Sequence, residues 1–194
     1  MQEYAGVFFS LCLGLGLSAS CGFRVFTPML VAAIAAKSGV IPLAENMAWL
    51  GSWTAIVILG TATLAEIVAY YFPWFDHILD VIASPAALIA GTALTASVLT
   101  GIDPSWQWGL GLIVGGGSAG LTQAGTVSLR LGSTATTGGL ANPLVATFEH
   151  IAAVVGSILS VWLTYLAVFL FGLLFIAVFY YTLRRKRKPK NIEN

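Results

Sequence analysis

Two glutamates, Glu66 and Glu149, and one arginine, Arg24, are the residues whose chemistry stands out in this chain. Glu149 closes the stretch TTGGLANPLVATFEH, residues 136–150, in which the flexible pair Gly138-Gly139 precedes Asn142-Pro143. Asn can cap the orphan amide groups of a helix and Pro is tolerated in a first turn, so a helix is expected to start at Asn142. Glu149 then lies about two turns in, with His150 beside it, and no charged residue follows until Arg184. A carboxylate in so apolar a run is expected inside a membrane, where it is costly and usually functional. Glu66 sits late in an earlier apolar run, with Thr63 one turn before it. Arg24 lies in the first apolar run, four residues before Pro28. At that depth an arginine must find a carboxylate, backbone carbonyls or water, or snorkel to an interface.

The elements that position these groups follow from composition. The chain has 194 residues, 58% hydrophobic and 9% charged, with a mean hydropathy of +0.89. Soluble domains carry about 25% charged residues, so this is read as an integral membrane protein. At roughly 20 residues per spanning helix, the apolar runs leave room for about six. No stretch is polar enough for a separate soluble domain, so residues 1–183 are expected to form a single helical bundle. Residues 184–194 carry Arg184, Arg185, Lys186, Arg187, Lys188 and Lys190, six of the nine basic residues. Before them only Arg24, Lys37 and Arg130 stand against seven acidic residues. The basic tail places the C-terminus in the cytoplasm and could touch anionic headgroups. Nothing in it points to nucleic acid. Cys12 and Cys21, nine residues apart in one apolar run, fall on different helix faces and read as reduced core residues. MQEYAGVFF lacks the basic region of a signal peptide.

In chain order, the first run, 4–36, exceeds one span and contains Gly22 and Pro28, so a kinked or broken first helix is expected. Residues 37–45 read as a polar loop, and 47–71 as a second span opened by Trp49 and Trp53. FPWFDHILD, 72–80, reads as an aromatic-anchored loop. Its Asp76, His77 and Asp80 are weak metal candidates, and Asp76 and Asp80 share a face if the piece is helical. A third span is expected over 81–99, a turn at GIDPSWQW, 101–108, and a fourth span over 109–130. There Gly111/Gly115 and Gly116/Gly120 fit the small-xxx-small pattern of close helix packing, with Thr122, Gln123 and Thr126 as polar contacts along it. Residues 130–139, with Thr136 and Thr137, read as a polar loop offering hydroxyls. The remainder to Tyr181 is about two crossings long, and a turn is expected near 160–164.

Six spans divide into two units of three, 1–100 and 101–183. Ser18-Ala19 matches Ser118-Ala119, and TLAEIVA, 63–69, resembles ATFEHIA, 146–152. An odd number of spans per unit makes the copies inverted, as in many transporters. Glu66 and Glu149 would then be related by a pseudo-two-fold axis and approach one another. Two carboxylates in low dielectric cannot both ionise cheaply, so one would hold a proton.

GLSASCGFRVFTPML, WLGSWTAIVILGTATLAEI, FPWFDHILD and TTGGLANPLVATFEH resemble the signature segments of a family of small bacterial integral membrane proteins of unknown function. The resemblance implies a compact polytopic inner-membrane protein. It implies that Arg24, Glu66, Asp76, Asp80, Asn142 and Glu149 belong to the family pattern, and it supplies no activity.

The expected function is a small transporter or channel for an ion or small solute. Its site would be built from Glu66, Glu149, Arg24, Asn142 and Thr137, with protons or cations handled by the glutamates. Asp76, His77, Asp80, His150 and Gln123 are secondary candidates. The alternative is a non-transporting scaffold docking through its tail. A lipid-modifying enzyme lacks any nucleophile–base pair or metal motif. No cofactor is expected. The expected partners are the lipid bilayer, a small ion or solute, and a second copy packed through the Gly-rich helix.

Overall fold

The computed structural model describes residues 2–71, 73–164, 170, 173–174 and 176–181, with the backbone alone at 2–5 and 73–80. The regular elements among these residues are all helices. Helices α1 (Gln2–Cys21) and α2 (Phe26–Lys37) come first, then a short 3-10 helix (Glu45–Gly51), α3 (Trp53–Ala69) and α4 (Pro73–Val98). They are followed by α5 (Pro104–Leu110), a π-helical segment (Gly111–Gly116), α6 (Gly117–Thr137) and α7 (Asn142–Trp162). Among the described residues two helices are long and apolar enough to cross a membrane, Val81–Val98 within α4 and all of α7. A third qualifies if the Glu45–Gly51 segment and α3, bent at 61°, form one broken span. The outward faces carry Val57, Leu64, Ile89, Ile113 and Leu144 in exposed positions, as suits a bundle facing hydrocarbon rather than water.

The expected break in the first apolar run lies at residues 22–25. Gly22 contributes no side chain to hold the helix, and Pro28 falls in the first turn of α2, where its missing N–H costs nothing. α1 packs against α4: Ser18 Oγ donates to Gly91 O at 2.7 Å and lies 2.7 Å from Thr95 Oγ1. Leu13, Leu17, Cys21, Ala90, Leu94 and Val98 form the core around that contact. Cys12 and Cys21 are both buried and unpaired.

The Gly-rich helix packs on α4 as well. A Cβ at Gly91 would meet Gly115 O at 2.7 Å, and one at Gly111 would meet Thr92 O at 2.7 Å. The small-xxx-small face therefore closes a contact inside the chain, and those glycines are not available to a second copy.

Four expectations are corrected. Residues 73–80 are not a loop but the first turns of α4, which puts Asp76 and Asp80 on one helix face; their side chains, with that of His77, lie outside the described residues. GIDPSWQW is a turn only as far as Asp103, whose carboxylate accepts from Ser105 N at 2.8 Å and starts α5 at Pro104. Residues 130–137 continue α6. Their hydroxyls turn back on the helix, Thr136 Oγ1 to Gly132 O and Thr137 Oγ1 to Ser133 O, both at 2.8 Å, which removes the competition that usually makes such residues loop formers. The chain turns at Gly138 and Gly139, both with positive φ. Finally, Asn142 is not the cap of α7: Ala141 occupies that place without a side-chain bond, and Asn142 Nδ2 donates to Thr134 Oγ1 at 3.1 Å. At its other end α7 stops at Trp162, with Leu163 outside helical dihedrals, inside the interval where a turn was expected. The tail beyond 181 lies outside the described residues.

Candidate functional site

Three buried stripes meet at the break between α1 and α2. On α3 the stripe is Ala55, Leu59, Thr63 and Glu66, continued by Tyr70. On α6 it is Ala119, Gln123, Thr126 and Arg130, and on α7 it includes Ala146, Glu149 and Ala153. Steps of three and four residues keep each set on one helix face, so one turn of each helix delivers a polar group to the centre. Gly22 allows α6 to come close: a Cβ there would meet Gln123 N at 2.8 Å.

The centre is a buried charge network. Glu149, fully buried, receives Arg24 Nη2 on Oε2 at 2.9 Å. Arg130 grips the same carboxylate with two donors, Nε to Oε1 at 3.2 Å and Nη2 to Oε2. Arg24 and Arg130 are 1% and 3% exposed; a charge so thoroughly removed from solvent persists only when it is paired. Both guanidinium carbons lie over the ring of Tyr70, 3.6 Å from its centroid for Arg24 and 4.4 Å for Arg130. The ring's negative face moderates the repulsion between the two cations.

Glu66 works on a different target. Its Oε1 accepts from Val25 N at 2.8 Å and its Oε2 from Phe26 N at 3.2 Å. These are orphan amides at the start of α2, where Val25 supplies no side-chain cap. A carboxylate from α3 thus caps the broken helix and meets the positive end of its dipole. In the described contacts the two glutamates flank the Arg24 segment with different partners.

His150 joins the network through Arg24, whose Nε donates to His150 Nδ1 at 2.8 Å. The same Nδ1 lies 2.7 Å from Ala146 O, which also accepts from Arg24 Nη2 at 3.2 Å. Nδ1 cannot accept from one neighbour and donate to the other. Arginine Nε can only donate and a backbone carbonyl can only accept, so the proton sits on Nε2 when Nδ1 pairs with Arg24 and on Nδ1 when it pairs with Ala146. The buried side-chain atoms without a partner include Arg24 Nη1, Gln123 Nε2, Thr63 Oγ1 and His150 Nε2. The first three can donate, and His150 Nε2 donates or accepts according to its tautomer.

The family model described as a domain of unknown function, DUF4126, matches residues 11–184. The chain belongs to the DUF4126 family. No curated protein and no solved structure matches it.

The match spans every residue of this DUF4126 site. Of the residues expected from sequence, Arg24, Glu66, Glu149, His150 and Gln123 gather around the break. Thr137 and Asn142 do not: Thr137 is exposed at the end of α6, where its Oγ1 accepts from Ala141 N at 3.2 Å, and Asn142 is tied to Thr134. Arg130 and Tyr70 are the members that sequence reasoning missed. Their signal was spacing, since Arg130 is seven residues after Gln123 and Tyr70 four after Glu66. Among the described residues no group of three or more His, Cys, Asp or Glu could hold a metal ion.

Proposed function

We propose that this DUF4126 chain is a small membrane transporter or channel, and that its solute is a small anion moved together with a proton. The observation that supports this is Arg24 Nη1, a cationic donor buried at the helix break with no acceptor. Leaving such a donor unpaired is costly, and an ionisable group in a membrane bundle marks a pathway by default. Gln123 Nε2, on the helix face that backs the break, offers a second unpaired donor. Among the described residues of the network, Arg24, Arg130, Glu66 and Glu149 are two cations and two anions, and an entering anion adds one negative charge to them. Glu149 offsets it by releasing an arginine and taking a proton. Glu66 is held by backbone amides and keeps the break in shape. Broken helices whose ends address a solute near the midplane are a transporter device. The reading is completed by six spans in two inverted units, an inner-membrane location and a cytoplasmic C-terminus.

The test is charge movement in proteoliposomes on a solid-supported membrane, under jumps of chloride, nitrate and acetate at several pH values. Wild type is expected to give transient currents that grow as pH falls. Glu149→Gln is expected to keep anion-evoked current and lose its pH dependence. Folded wild-type protein that gives no current and takes up none of these anions overturns the reading, and a lower melting temperature as the sole effect of Glu149→Gln would make the network a structural lock.

A further inference from the structure

Helices α1 and α2 reach the break from the same end of the bundle. α1 runs antiparallel to α4: a Cβ at Gly14 would meet Thr95 Cα at 3.1 Å, and one turn later Ser18 Oγ donates to Gly91 O at 2.7 Å. α3 runs antiparallel to α2, with Lys37 Nζ 5.7 Å from the centroid of the Trp53 ring at one end and Val25 N 2.8 Å from Glu66 Oε1 at the other. The chain after α2 is back at the end from which α1 came, because Ala44 N donates to Ser97 O at 2.7 Å, and Ser97 lies beyond Thr95 on the side away from the break. α7 agrees: Thr27 shares a hollow with His150, and Ser38 shares one with Trp162. α1 therefore runs in to the break, and α2 runs back out beside α7.

The returning leg is short. α2 has 12 residues, about 18 Å at 1.5 Å per residue, little more than half of a hydrocarbon core about 30 Å thick. Non-helical backbone at membrane depth is tolerated only where the protein satisfies it, and the turn meets that demand residue by residue. Gly22 N donates to Ala19 O at 3.1 Å, Phe23 N to Ser20 O at 3.1 Å and Arg24 N to Ser20 O at 3.3 Å. Val25 N and Phe26 N donate to the Glu66 carboxylate. Gly22, Phe23, Arg24 and Val25 are all buried. Leu13, Leu17, Leu94 and Val98 fill the bundle between this turn and the end from which α1 comes.

We propose that α1 and α2 form a re-entrant hairpin, which enters and leaves the membrane on one face and carries Arg24 on its tip to the depth of Glu149. A helix merely kinked at Gly22 would cross instead, and would put Ser38 on the face opposite Gly6. The hairpin explains why α3 brings a carboxylate to this depth. Glu66 does for the amides of the buried tip what water does for those of an exposed helix end. The packed legs close the charge network toward their own face of the membrane. The inference rests on the membrane placement proposed above and exchanges the first of its six crossings for a hairpin. Its test reads sidedness and not flux.

The experiment is labelling with a membrane-impermeant maleimide in sealed membrane vesicles of both orientations, on the full chain carrying Cys12→Ala and Cys21→Ala. Single cysteines are introduced by Gly6→Cys near the start of α1, Ser38→Cys after α2 and Thr137→Cys at the end of α6. Ser38 and Thr137 are exposed, and a Cβ at Gly6 meets nothing within 4 Å. Gly6 stands about 12 Å beyond Gly14, whereas α4 ends about 5 Å beyond Thr95, so Gly6 clears the bundle. Gly6→Cys and Ser38→Cys should label from one face, and Thr137→Cys should lose its labelling there and gain it from the other. Gln2→Cys, one turn further out, repeats the measurement should Gly6→Cys disturb α1. Labelling of Gly6→Cys or Gln2→Cys from the Thr137 face, with Ser38→Cys on the other, overturns the hairpin in favour of a crossing helix and leaves the membrane placement standing. Labelling of all positions from both faces alike overturns the membrane placement and the hairpin with it.

Discussion

Arg24 and Arg130 converge on a single oxygen, Oε2 of Glu149. One arginine comes from the break between α1 and α2, the other from the second half of α6, and the carboxylate from α7. Three segments distant in sequence are thus tied at one atom. Removing one partner of a buried ion pair leaves an uncompensated charge and costs about 3–5 kcal/mol. Glu149→Gln leaves two guanidiniums beside Tyr70 without their shared carboxylate, and thermal unfolding in detergent should show a loss of that size. Adding Arg130→Gln to Glu149→Gln should recover part of it, with a coupling of roughly 1–3 kcal/mol. Strictly additive single and double variants would mean that the two side chains do not interact.

Glu66 should matter to local order more than to the network. Its two hydrogen bonds to Val25 N and Phe26 N are charge-assisted and worth about 1.5–3 kcal/mol each when intact. Glu66→Ala should speed amide exchange at residues 22–28 well above that at 10–20 of α1. Glu66→Gln should do nearly the same, because one end of its amide is a donor and would face a backbone donor. Unchanged exchange at Val25 and Phe26 in both variants would show that another group caps α2.

The contact between α4 and the Gly-rich segment gives a steric test. Gly91→Ala places its Cβ against Gly115 O at 2.7 Å, whereas Gly120→Ala meets only Leu88 side-chain atoms at 3.4–3.6 Å. Overpacking a backbone contact costs about 1–3 kcal/mol, so Gly91→Ala should lower the melting temperature and Gly120→Ala should leave it near wild type. Equal effects would place the close approach elsewhere.

Much of this arrangement was legible in the sequence, and the misses share a cause. Gly22 and Pro28 announced the broken first helix because each acts on the backbone locally. The isolation of Glu149 and Glu66 in apolar runs marked them as interior groups, since few other places accept a charge there. Composition failed where side chains found unexpected partners. The hydroxyl-rich run after Arg130 read as a loop, yet Thr136 and Thr137 spend their hydroxyls on their own helix. Once α6 continues, Arg130 becomes a mid-helix residue on the face of Gln123 and Thr126. The expected approach of Glu66 to Glu149 depends on the rotation of α3 and α7, which periodicity leaves open, and so do the donors that each carboxylate meets. The glycine pattern predicted close packing without naming the partner helix, and α4 fills that role.

Gln123 separates stability from function most cleanly. It is 4% exposed and its amide Nε2 has no partner. Replacing a buried, unpaired donor with an apolar side chain of similar size removes a desolvation penalty. Gln123→Leu should therefore melt at or above the wild-type temperature. If Nε2 is kept for a solute at the break, the same variant should lose most of the anion-evoked current in proteoliposomes. Stability gained and transport lost would be the signature of a binding donor held at a cost to the fold. A variant that loses both would show that the amide supports α6 and the break structurally. One that keeps both would remove Gln123 from the site and leave the anion to Arg24 Nη1.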